Sequence, residues 1–129
     1  MLRSIACIAA GASVGAILRW VLGIAFNGLF PLVPMGTLLA NLAGGYLIGV
    51  MLGVVAFFPQ FPREARQLII TGFLGSLTTF STFSGEVVLL IQKRHLLAAG
   101  TTVVLHVLGS LVMTCFGIVS CVFFVRFLR

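Results

Sequence analysis

Thr71 to Gly85, TGFLGSLTTFSTFSG, sits inside an apolar segment running from about Gln67 to Ile91, and ten of its fifteen residues are Gly, Ser or Thr. Ser and Thr side chains offer the backbone hydrogen bonds that compete with a helix, and Gly loosens it. A helix of this make-up is expected to break. In lipid, such a break is tolerated only where the freed amides and carbonyls are buried in protein or line a polar cavity. The stretch therefore restricts the chain to folds in which other helices surround it.

That the solvent is lipid follows from composition. Of 129 residues, 60% are hydrophobic and 8% charged, and the mean hydropathy is +1.25, outside the range of water-soluble domains. A spanning helix needs roughly 20 apolar residues. Four spans, at about 4–26, 35–58, 67–91 and 97–125, use nearly the whole length as one transmembrane domain. The N-terminal apolar run lacks a small-residue cleavage site followed by a polar chain, so it reads as the first span. The fold class expected is an all-α integral membrane protein with four transmembrane helices, the third broken in its middle.

The first span carries Gly11, Gly15, Arg19 and Gly23 at four-residue intervals, one slowly winding stripe suited to close helix contact. Arg19 then points into that contact. An arginine within a span is snorkelling, paired or functional; here it either reaches the interface or supplies positive potential to a polar vestibule. The second span repeats the pattern with Asn41, Gly45, Gly49 and Gly53, widened by Gly44. Asn41 is an interhelical hydrogen-bonding group or a pore ligand. A turn over Asn27–Pro34 joins these spans. Phe57 to Arg66, with two prolines and three charged residues, reads as a water-facing loop. His95, beside Lys93 and Arg94, reads as solvated. On the fourth span, His106, Ser110 and Thr114 fall at i, i+4 and i+8, either a polar track along an ion path or a set of interhelical hydrogen bonds.

The charge of +6 comes from eight Lys and Arg against two acids. These cations flank spans instead of forming a stripe with interleaved aromatics, so they indicate membrane lipid and not nucleic acid. Arg3, Arg63, Arg66, Arg126 and Arg129 fall on one side against Lys93 and Arg94, with Arg19 if it snorkels, on the other, a modest bias that favours termini in the cytoplasm and leaves insertion in both orientations open. Cys7, Cys115 and Cys121 are odd in number, form no CxxC pair and read as packed thiols.

An enzyme is not expected. Glu64 and Glu86 are the only carboxylates, too far apart in the chain's organisation to act as a pair, and His106 and Ser110 lack an orienting acid. Conduction fits better. One four-span chain is too thin to shelter a path alone, so the glycine stripes imply a dimer. Phe80 and Phe83 lie among Thr78, Thr79, Ser81, Thr82 and Ser84. They either pack or use their positive ring edges to solvate a small anion, with hydroxyl and amide hydrogens completing the shell. The basic balance favours an anion.

GFLGSLTTFSTFS, preceded by NLAGGYLIG in the second span and by Arg19-Trp20 late in the first, closely resembles the Fluc (CrcB) family of bacterial fluoride channels. The resemblance covers the whole chain in length, span count and motif order. It implies an antiparallel dual-topology homodimer in the bacterial inner membrane, with two pores passing fluoride passively down its electrochemical gradient. By the same resemblance Phe80 and Phe83 are the pore phenylalanines and Asn41 the pore asparagine. Ser110 and Thr114 line a polar track, with Thr79 and Ser81 nearby; His106 joins them by spacing. The resemblance further implies a structural sodium ion (Na+) held by backbone carbonyls of Gly75 and Thr78 from both chains. Glu86 is expected at a pore end as an acceptor or gate. The runner-up is a dual-topology multidrug-type, proton-coupled transporter, which needs a first-span carboxylate where this chain has Arg19. A non-conducting interaction subunit is the third class.

Overall fold

A computed structural model describes residues 1–30 and 32–128; Pro31 of the first turn and the terminal Arg129 lie outside the described residues. All regular structure in it is helical: α1 (Leu2–Phe26), α2 (Met35–Phe57), α3 (Arg63–Arg66), a π-helical segment (Gln67–Leu74), α4 (Gly75–Leu77), α5 (Phe80–Gln92) and α6 (Leu96–Phe127). Four helical stretches are long and apolar enough to cross a membrane: Leu2–Phe26, Met35–Phe57, Arg63–Gln92 and Leu96–Phe127. Large apolar side chains such as Trp20, Val112 and Phe123 are exposed along them, as expected where lipid replaces water around a bundle.

The third stretch starts earlier than the charge pattern suggests. Arg63–Arg66 form its first turn and not a loop, because Pro62 presets the backbone (φ −55°) and its carbonyl accepts from the Arg66 amide at 3.0 Å. The helix then widens to π geometry over Gln67–Leu74, a rare form that is frequent at functional sites. Between α4 and α5 the backbone turns extended at Thr78 (φ −78°, ψ 152°) and Thr79 (φ −149°, ψ 117°). The α5–α6 hairpin closes with Arg94 at φ 61°, the Arg94 amide bonding to Ile91 O and the His95 amide to Leu90 O. That is the two-bond pattern that terminates helices through one left-handed residue.

Glycines set the packing. A Cβ on Gly11 would meet the Leu68 carbonyl and the Phe73 amide, one on Gly15 the Phe73 carbonyl, and one on Gly72 the Ile8 carbonyl, so α1 lies backbone-to-backbone on the π-helical segment. Gly49 and Gly117 do the same for α2 and α6, the first against Thr114 O and the second against Tyr46 O. Gly23 departs from its stripe: its nearest neighbour would be the Asn27 side chain at 3.6 Å. The helix contact made by Gly11 and Gly15 has ended by that turn. Ala40, Leu74 and Leu77 form the buried core where α2 meets the π segment and α4, with Leu22, Ile48 and Phe73 against it. Cys121 is buried, but Cys115 is exposed and so is not a packed thiol. It sits on the outward face of α6 beside Phe116.

Candidate functional site

The extended pair Thr78–Thr79 leaves backbone groups to satisfy, and Asn41 satisfies two of them. Its Oδ1 accepts from the Thr79 amide at 2.7 Å while its Nδ2 donates to the Thr79 carbonyl at 3.0 Å. These fixed backbone partners determine which way the side-chain amide points. Its second hydrogen goes to His106 Nδ1, 3.0 Å away. Nδ1 therefore accepts, the imidazole proton sits on Nε2, and this buried donor has no partner among the described residues. Asn41 joins α2, the extended pair and α6 through one amide.

Thr79 also starts α5. Its Oγ1 accepts from the Thr82 amide at 3.1 Å, donates to Thr82 Oγ1 at 3.0 Å and lies 3.3 Å from Ser81 Oγ. This side-chain cap serves an amide that no helical carbonyl reaches. Phe80 and Phe83 follow in the first turn with ring centroids 5.5 Å apart and an interplanar angle of 66°, one ring presenting its edge to the other. The two differ in surroundings: Phe83 is 6% exposed and stacks on His106 at 4.6 Å, whereas Phe80 is 77% exposed.

A cavity of about 540 Å³ brings most of the expected residues together: Asn41, Gly75, Thr78, Thr79, Phe80, Phe83, His106, Ser110 and Thr114 all line it. Ser81 does not, being turned toward the Thr79 cap. His106, Ser110 and Thr114 do form one line along α6, yet the Thr114 hydroxyl donates within the bundle, to Gly45 O at 3.0 Å and Ser110 O at 2.9 Å. It is a helix–helix hydrogen bond on a cavity wall.

The same backbone accounting identifies free carbonyls. In an unbroken helix the Thr79 amide would serve Gly75 O and the Thr82 amide Thr78 O. Here these amides go to Asn41 Oδ1 and Thr79 Oγ1. Gly75 and Thr78 thereby lose their usual helical donors. Ser76 O is served differently, by Arg19 Nε at 2.9 Å, so Arg19 points into the bundle and not to the interface. Its cation sits at the C-terminal end of α4, where the helix dipole favours positive charge.

One turn before Asn41 on α2, Thr37 donates its hydroxyl to Glu86 Oε1 at 2.5 Å, while Glu86 Oε2 is buried and unpaired. Sequence reasoning missed Thr37, although its i−4 relation to Asn41 places both on one helix face. Among the described residues no group of His, Cys, Asp and Glu is arranged to hold a metal ion.

The family model for CrcB-like protein, Camphor Resistance (CrcB), matches residues 6–118. A relative from Tolumonas auensis, named fluoride-specific ion channel FluC, is 58% identical over 120 residues, covering 93% of this chain and 94% of its own. Relatives bearing the same name in Pseudomonas syringae pv. maculicola (55% identical; 93% and 94% covered) and Nitrosomonas europaea (48%; 96% and 98%) match over similar lengths. With four membrane-length apolar helices and a family match over most of its length, the chain is a multi-pass membrane protein, not an enzyme, and belongs to the CrcB family.

Proposed function

We propose that the chain is a fluoride-selective channel that lets fluoride leave the cytosol passively across the bacterial inner membrane, working as an antiparallel homodimer with two pores. The observation that carries this reading is the Asn41–Thr79 bracket, which fixes the start of α5 and with it the edge-to-face pair Phe80 and Phe83 at a cavity edged by amide and hydroxyl groups. Relatives that cover nearly the whole chain carry the name of a fluoride-specific ion channel.

Fluoride is small and strongly hydrated, so a selective path must replace its water with hydrogen donors while staying too narrow for larger anions. Ring edges of Phe80 and Phe83, the Ser110 hydroxyl and the unpaired Nε2–H of His106 are groups of that kind. Ser110 has room to serve, since its Oγ makes no hydrogen bond in the chain described. The exposed ring of Phe80 suits cover by a second copy.

In this reading Thr78–Thr79 is a functional break in the third membrane helix, and the carbonyls of Gly75 and Thr78 hold a structural sodium ion shared with the second chain. The donor chemistry fits, because the amides that would occupy both carbonyls are engaged elsewhere and Na+ prefers hard oxygen ligands. Bound there, the ion supplies positive potential to the neighbouring anion path.

Efflux from liposomes followed with a fluoride electrode tests the reading. Fluoride is expected to leave far faster than chloride, and Phe80→Ile and Phe83→Ile to slow it. Chloride flux equal to fluoride flux, undiminished flux in both variants, or efflux that requires a proton gradient would sink it.

A further inference from the structure

Asn27 lies in the turn after α1, exposed and away from the cavity. Its Oδ1 accepts from the amides of Gly36 at 2.8 Å and Thr37 at 3.3 Å. These belong to the first turn of α2, whose amides have no intrahelical carbonyl to serve. The local N-cap, Pro34, offers no side-chain acceptor. Asn27 thus supplies from nine residues upstream the cap that α2 lacks. Gly36 makes the approach possible, since a Cβ there would lie 2.8 Å from Asn27 Oδ1 and would collide with the Leu22 carbonyl.

Thr37 carries this restraint inward. Only 4% exposed, it spends its amide on Asn27 and its hydroxyl on Glu86 Oε1. Glu86 has no other side-chain hydrogen bond among the described residues, and its Oε2 is buried without a partner. The carboxyl therefore takes its place from Thr37, and Thr37 takes its place from Asn27. On α5, Glu86 stands three residues after Phe83, on the same face of the helix.

We propose that Asn27 is a positioning residue for the Glu86 carboxyl, taken with the channel reading to stand at one end of the conduction path, acting through the first turn of α2 and the Thr37 hydroxyl. This rests on the channel function proposed above. The test uses the full chain in liposomes. Because Glu86 and Glu64 are the only acidic side chains, the Glu86 carboxyl band can be assigned in the infrared by difference from Glu86→Gln. Asn27→Leu removes the acceptor, Asn27→Asp keeps one at a helix N-terminus that favours negative charge, and Thr37→Val removes the hydroxyl while preserving shape.

Asn27→Leu should shift the Glu86 band in the same direction as Thr37→Val and slow fluoride efflux roughly fivefold, the equivalent of one lost cap. It should add nothing in the Thr37→Val background, the non-additivity expected of residues acting in series. Asn27→Asp should keep both band and flux. An unshifted band in Asn27→Leu overturns the assignment, as does a shifted band with lost flux in Asn27→Asp or an equal loss of flux in both backgrounds. Wild-type protein that passes no fluoride would overturn the channel reading alone, and the infrared comparison would still decide the role of Asn27.

Discussion

The side-chain amide of Asn41 forms a closed two-bond ring with the peptide groups of Thr79, accepting from its N–H at 2.7 Å and donating to its C=O at 3.0 Å. The geometry stands in for a helix at the one place where the third apolar stretch lacks helical backbone. Thr79 is 8% exposed, so neither of its backbone groups can turn freely to water.

Replacing Asn41 by Leu should therefore destabilise the protein through unpaired buried groups. A loss of about 3 kcal/mol is expected for the two backbone groups together, seen as a lower melting temperature in detergent and as abolished flux. Asn41→Asp keeps an acceptor for the Thr79 amide but sets an oxygen against its carbonyl, and should fall between Asn41→Leu and wild type. A Leu variant that melts like wild type would show that the bracket does not hold the segment.

Gly49 and Gly117 make a sharper test of packing, because each faces the backbone of the other helix. Overpacking of this kind costs about 1–3 kcal/mol, and here the opposing atoms are backbone and cannot rotate aside. Around Gly100, by contrast, the space that a Cβ would enter is open to 4 Å. Gly100→Ala should be neutral or stabilise α6 by about 0.5–1 kcal/mol, while Gly49→Ala and Gly117→Ala should lower the yield of folded protein and its melting temperature. Equal effects at all three positions, measured by thermal unfolding, would contradict the backbone-to-backbone contact.

Phe80 and Phe83 should separate stability from conduction. Phe83 is buried against His106, and its truncation to Ala is expected to cost about 3–5 kcal/mol. Phe80 is largely exposed in the single chain, so Phe80→Ala should leave the fold of one chain nearly unchanged. Both variants should lose fluoride efflux. Thermal unfolding alongside the electrode assay checks this, and a Phe80 variant that conducts normally would remove its ring from the path.

Much of this arrangement is legible in the sequence where spacing alone carries it. Gly11 and Gly15 on α1, and Gly45 and Gly49 on α2, meet neighbouring backbones as their four-residue intervals suggest. Asn41 shares that stripe, but spacing leaves open whether its amide bonds across helices or faces a pore; the structure shows it bonding across helices at a cavity wall. What spacing does not carry is pairing across the fold. Asn27 caps a helix from a turn nine residues away, Thr37 finds Glu86 across 49 residues, and neither contact leaves a local pattern. The π geometry of Gln67–Leu74 is equally silent, because an apolar run reads alike at either helical pitch. Arg19 illustrates the remaining ambiguity: its depth allows the interface or the bundle, and only the free Ser76 carbonyl decides between them.

Arg19 gives the last prediction. Its guanidinium occupies the Ser76 carbonyl at the end of α4, and Gly75 and Thr78 are among the carbonyls left without their helical donors. A hydrogen bond from a charged donor contributes about 1.5–3 kcal/mol, and Arg19→Gln should lose most of it. Arg19→Lys keeps the charge but not the planar Nε donor, so it should recover only part of the stability. If sodium is held by the Gly75 and Thr78 carbonyls, replacing Na+ with a bulky organic cation should lower the melting temperature of wild-type protein. The same exchange in Arg19→Gln should have a different effect, since Ser76 then offers a third oxygen. Identical sodium dependence in the two proteins would mean that Arg19 stabilises the helix end without shaping the cation site.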